Sequence, residues 1–146
     1  MTTPSFITIN SVITPNISGG EAQTLNESYG GITEYRGEYR RISYERKEID
    51  STYSTQITFS TKDRNRLYVR RHGDISSDML FEVGHTHAFL YSVSTYSFDA
   101  SVTATSLVIS DDSDNGKINI SVKYLLTVGN ETSICEMHIK SEEKDG

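Results

Sequence analysis

Residues 54–60 read Ser54-Thr55-Gln56-Ile57-Thr58-Phe59-Ser60, and residues 118–126 read Ile118-Asn119-Ile120-Ser121-Val122-Lys123-Tyr124-Leu125-Leu126. In the first stretch Thr55, Ile57 and Phe59 fall on one side and Ser54, Gln56, Thr58 and Ser60 on the other. In the second, Ile118, Ile120, Val122, Tyr124 and Leu126 alternate with Asn119, Ser121 and Lys123. Successive side chains of a strand point to opposite faces, so a period of two marks a half-buried β-strand. The alternation recurs from end to end with no helical stretch between. A chain made of such segments folds as a sandwich or a barrel.

Working outward, the pattern predicts strands over Phe6 to Thr14, Glu21 to Arg36, Glu38 to Lys47, Thr52 to Thr61 and Arg66 to His72. It continues with Asp78 to Val83, His85 to Thr95, Phe98 to Ser110, Lys117 to Thr127 and Thr132 to Glu142. Asn115-Gly116 is the strongest hairpin signal, and further turns are predicted at Pro15 to Gly20, Asp50-Ser51 and Gly129-Asn130. The pair Gly30-Gly31 inside a strand predicts a sharp bend or a bulge. Strands following one another with short turns form an antiparallel, up-and-down meander, and closing it into a barrel removes the exposed edges. A barrel of about eight strands has interior room for packed side chains or for one small ligand. The 146 residues are read as one domain, long enough to bury roughly 70% of its unfolded surface, with 142–146 as a frayed tail.

Bulk properties narrow the setting. No stretch approaches the roughly 20 apolar residues of a membrane helix, and Met1 to Phe6 has neither the basic nor the apolar region of a secretion signal. The single cysteine, Cys135, excludes an internal disulfide framework. A soluble, cytoplasmic protein is expected, with no membrane partner. The net charge of -6 is uneven: ten basic residues but five acids lie between Arg36 and Arg71, making that segment +5 and the rest -11. A basic region can attract an anion or nucleic acid. Solvent-facing charge with no specific partner is the simpler reading.

Arg71 stands out. It shares a strand face with Leu67 and Val69, which points it inward, where a guanidinium needs a partner. The expected partners are Glu45 or a bound anion held by the guanidinium fork. Tyr44 lies beside that acid, while Tyr91, with Phe89 and Val93, and Tyr124, with Ile120 and Val122, should also point inward. With Met79 they could line a pocket for a small amphipathic ligand or simply fill a core. His85 and His87 are two apart on one predicted strand and so share a face, a spacing that can hold a transition metal, but nothing supplies further ligands. Cys135 and His138 fall on opposite faces of a strand and cannot form a nucleophile–base pair. The run Asp111-Asp112-Ser113-Asp114-Asn115-Gly116 lacks the closing glutamate of a calcium loop and reads as a hairpin turn. No catalytic motif is present, and neither a metal nor a cofactor is implied.

Several features in order resemble the YwiB-like family of small bacterial β-barrel proteins. They are Ile42-Ser43-Tyr44-Glu45, Thr55-Gln56-Ile57, Arg71-His72-Gly73, Met79-Leu80-Phe81 with Gly84, Tyr91 with Thr95-Tyr96, Thr105-Ser106-Leu107, and Gly116 leading to Tyr124-Leu125-Leu126. Ser97 stands where that pattern calls for a glycine. The resemblance spans nearly the whole chain and implies an all-β, closed antiparallel barrel of the calycin, or lipocalin-like, superfamily, in a bacterial cytoplasm. The family carries no established activity. Ligand binding inside the barrel follows by analogy alone, with Arg71, Glu45, Tyr44, Tyr91, Met79 and Tyr124 as the candidate site. The alternative is a protein-protein or RNA interaction module using the Arg36–Arg71 surface, although the overall acidity speaks against nucleic acid. An enzyme using Glu45 and a tyrosine ranks last, and the oligomeric state is left open.

Overall fold

The computed structural model describes residues 1–15, 20–47 and 51–144. Ten strands follow one another: β1 (Thr2–Pro15), β2 (Gln23–Arg36), β3 (Tyr39–Lys47), β4 (Thr52–Ser60), β5 (Arg66–Gly73), β6 (Ile75–Glu82), β7 (Thr86–Val93), β8 (Tyr96–Asp112), β9 (Lys117–Val128) and β10 (Glu131–Glu143). Each pairs antiparallel with its chain neighbours, and β1 closes on β10, so the sheet is an up-and-down barrel as the alternation predicts. No helix among the described residues is long and apolar enough to cross a membrane. The outer face carries Gln56, Arg70, Lys123, Glu136 and Lys140 beside exposed apolar side chains such as Phe6, Leu90, Val108 and Ile134.

Inward positions pack one half of the barrel solid. Ile7, Ile42, Ile57, Leu67, Phe81, Ile118, Ile120 and Ile139 are fully buried there. This is the end at which β2, β4, β6, β8 and β10 finish. Polar groups seal it. Ser5 Oγ donates to the Thr3 carbonyl at 3.2 Å, and Ser5, Thr33 and Ser141 form a buried hydroxyl chain with two links of 2.8 Å. Because the Ser5 proton is spent on Thr3, Thr33 must donate to Ser5 and accept from Ser141. Nearby, Arg40 Nε meets Asp111 Oδ2 at 3.2 Å, and its guanidinium lies 5.0 Å above the Tyr35 ring.

Asp111 can face inward because of a bulge. The β8–β9 register shifts between Ala104 and Ser106. Before the shift Ala100, Val102 and Ala104 face the core; after it the inward set is Leu107, Ile109 and Asp111. The bulge therefore lies at Thr105 and not at Gly30-Gly31, where the glycine pair predicted one. β2 passes through those glycines in continuous register with β1, while its pairing with β3 stops at Gly31. The actual constraint on Gly31 is close approach, since a Cβ there would stand 2.3 Å from the Ser43 carbonyl oxygen.

Other differences are smaller. The expected frayed tail is ordered through Lys144, because β10 continues to Glu143 and the Glu143 and Lys144 amides bond Gly116 and Pro4 carbonyls. β6 begins at Ile75, before the predicted Asp78. The positive φ of the β7–β8 turn falls on Ser94, at 57°, so Ser97 needs no glycine and simply pairs with Ser92 in the ladder. Most of the predicted Pro15–Gly20 turn, and Asp50 of the next, lie outside the described residues. Replacing Thr33→Val should leave the Ser141 hydroxyl without its acceptor and lower stability by about 1–3 kcal/mol. Urea unfolding would show this as a lower midpoint at unchanged slope.

Candidate functional site

The other half of the barrel, where β1, β3, β5, β7 and β9 finish, is hollow. A cavity of about 560 Å³ opens at that end. Its rim includes Ile13, Leu25, Phe98 and Val128; its walls include Tyr44, Met79, Phe89, Tyr91 and Met137. Tyr124 meets the packed half, its ring edge-on to Phe81 with centroids 4.7 Å apart. Alternation explains the lining: β5 turns Leu67, Val69 and Arg71 inward, and only the last reaches the hollow half.

Three charged side chains line the cavity. Arg46 Nη1 meets Glu27 Oε2 at 3.2 Å and donates to the Tyr53 hydroxyl at 3.0 Å. The Tyr29 hydroxyl also donates to Glu27, and the Tyr29 ring stacks on Tyr44 at 4.4 Å. Glu27 and Arg46 thus neutralise each other. Arg71 differs, for no carboxylate among the described residues pairs with it. In the ladder it stands between Thr55 on β4 and Ser77 on β6. Direct cross-strand partners share a face, so the three form a row on the inner wall. Thr55 is 1% exposed and Ser77 3%, and neither hydroxyl has a hydrogen-bond partner among the described residues. A buried hydroxyl without a partner costs about 1–3 kcal/mol.

The phenols near Arg71 are held in their neutral form. Burial pushes Tyr44 above the ordinary phenol value, while the Arg71 charge and the nearby Thr55 hydroxyl pull the other way; the latter contact falls short of hydrogen-bond geometry. Burial pushes Tyr124 up further, reinforced by its neighbour Cys135 and opposed by Arg71. Cys135 is itself raised by burial, an inert thiol rather than a nucleophile. The row therefore offers a cation and neutral hydroxyl donors.

Five of the six residues singled out from the sequence line this cavity: Arg71, Tyr44, Tyr91, Met79 and Tyr124. Glu45 does not. It follows Tyr44 on the same strand and so faces outward, where it pairs with Lys47 at 3.5 Å. Sequence reasoning missed Glu27, Arg46, Thr55 and Ser77; for Glu27 the signal was its period-two spacing from Tyr29 and Gly31. The basic segment does not form one surface. Arg40 seals the packed end, Arg46 and Arg71 face the cavity, and Arg66 and Arg70 pair with Glu82 and Asp78. His85 lies in the turn before β7, and His87 meets Glu82 at 2.9 Å. His138 points away from Cys135 and bonds Ser121.

Comparison with known proteins adds a family. The family model described as "Domain of unknown function (DUF1934)" matches residues 7–140. Among solved structures the chain is similar to the crystal structure of the YwiB protein from Bacillus subtilis. The two share 19% identity and a TM-score of 0.84, over 99% of this chain and 94% of that one. At that identity the likeness concerns the fold. A search of curated proteins finds no match.

The buried phenols make a pH dependence. A phenol whose value is raised on folding stabilises the protein below its unfolded value of 10.0, and that contribution is lost as pH climbs above it. Tyr124→Phe should therefore flatten the alkaline fall in stability, by at most about 1.4 kcal/mol per pH unit above pH 10. Denaturant titrations between pH 8 and about pH 11 check this.

Proposed function

The chain belongs to the DUF1934 family, whose description names no activity, and we propose from its geometry that it binds one small amphipathic molecule with an anionic head. The observation that carries this reading is Arg71, facing the cavity without a carboxylate partner among the described residues, between two buried hydroxyls that also lack partners. An anionic head accepting from the guanidinium fork, Thr55 and Ser77 would satisfy all three at once. The apolar body would lie against Met79, Phe89, Met137 and the Tyr44 and Tyr91 rings. Burying that body supplies affinity at about 25 cal/mol per Å² of apolar surface, less the costs of association. The Glu27–Arg46 pair is already satisfied and leaves a single positive charge for the ligand. The one carboxylate among the described residues that lines the cavity, Glu27, is held by Arg46 and Tyr29, which fits binding rather than catalysis. The lone, buried thiol of Cys135 fits a reducing, cytoplasmic setting.

Titration with the anionic fluorophore 1-anilinonaphthalene-8-sulfonate tests this. The wild type should bind one equivalent. Arg71→Met should weaken binding about 10- to 100-fold, the worth of charge-assisted hydrogen bonds, and Arg71→Lys should restore part of it. A folded wild-type protein that does not bind the probe, or an Arg71→Met variant that binds it equally well, contradicts the reading.

A further inference from the structure

The hydrogen-bond ladder of the barrel wall is interrupted beside Arg71. β6 and β7 register in the ladder only at Ile75–Val93 and Ser76–Ser92, next to the open end, and meet again at the isolated bridge between Glu82 and His85. Among the described residues every other strand junction registers six pairs or more. Between the two ties, β6 backbone groups that point toward β7 have no ladder partner, so water or an occupant must satisfy them.

A recess of about 370 Å³ occupies this seam. Its lining mixes the two faces of the sheet: Arg71, Ser77 and Phe89 belong to the inner face, whereas Arg70, Asp78 and Leu90 belong to the outer one. Arg71 and Phe89 also line the interior cavity, so the recess and the cavity share these two residues.

We infer that the seam between β6 and β7 is a lateral passage by which an amphipathic anion enters tail first, its head coming to rest at Arg71. This rests on the ligand-binding reading above. The two routes differ in chemistry. Through the open end an anionic head would pass the apolar rim of Ile13, Leu25, Phe98 and Val128 and the Glu27 carboxylate. Along the seam it meets the hydroxyls of Ser76, Ser77 and Ser92. Arg70 on the outer lip is paired with Asp78 at 3.3 Å, leaving the unpaired charge of Arg71 as the inward attraction.

Stopped-flow fluorescence with 1-anilinonaphthalene-8-sulfonate distinguishes the routes. Ala88 and Leu90 lie on the outer lip of the seam. Ala88→Trp should slow association and dissociation together by about tenfold with Kd changed less than about twofold, since a passage residue touches the ligand only in transit. Leu90→Ala, which widens the lip with little risk to folding, should speed both. Leu25→Trp, on the rim of the open end, should slow the probe less than Ala88→Trp does. The inference is overturned if Leu25→Trp slows the probe while Ala88→Trp and Leu90→Ala do not, or if the seam variants alter dissociation alone. Failure of the wild type to bind the probe would overturn the binding reading, and this passage with it.

Discussion

Closure of one hydrogen-bond ladder around ten strands is the constraint on which the rest of this structure depends. Once β1 pairs with β10, every strand must keep one face inside, and period two decides which side chains fill the space. A barrel of about eight strands is just filled by its own residues; ten enclose more. Isoleucine, valine and leucine occupy the half that the Ser5–Thr33–Ser141 hydroxyl chain and the Arg40–Asp111 pair close. The other half holds longer, half-polar side chains that leave room between them. Packing density, rather than the fold, separates the two ends.

The ladder is interrupted at two junctions, and each has its own consequence. Between β2 and β3 the register stops at Gly31 and Tyr44, and beyond it the strands are held by side chains, the Glu27–Arg46 pair and the Tyr29–Tyr44 stack. Between β6 and β7 the Glu82–His87 pair ties the far end, and among the described residues no side-chain bond replaces the missing rungs near Ser77. The row Thr55, Arg71, Ser77 runs across the panel between these junctions. One end of it, Ser77, borders the gap between β6 and β7.

Much of this was legible in the alternation. All ten strands and the up-and-down order follow from it, as does the inward aim of Arg71, Tyr91 and Tyr124. Glu45 was misplaced because charge complementarity to Arg71 was allowed to outweigh its own alternation with Tyr44, and neighbours on one strand cannot share a face. The Thr105 bulge left a trace in the slip from even to odd apolar positions between Ala104 and Leu107, whereas the glycine pair drew attention elsewhere. Thr55 and Ser77 were beyond the sequence for another reason. Small hydroxyl residues are ordinary fillers in strands, and their lack of partners is a property of three-strand register that no single segment encodes.

The central claim is that the hollow half receives a ligand while the packed half does not. The chain holds three methionines, two of which, Met79 and Met137, line the cavity at 6% and 5% exposure, while Met1 is 82% exposed outside it. Methyl NMR of protein labelled at methionine, titrated with 1-anilinonaphthalene-8-sulfonate, reports on both places at once. The account predicts saturable shifts of the Met79 and Met137 methyls with Met1 unmoved. Shifts confined to Met1, or none at stoichiometric probe, would contradict it.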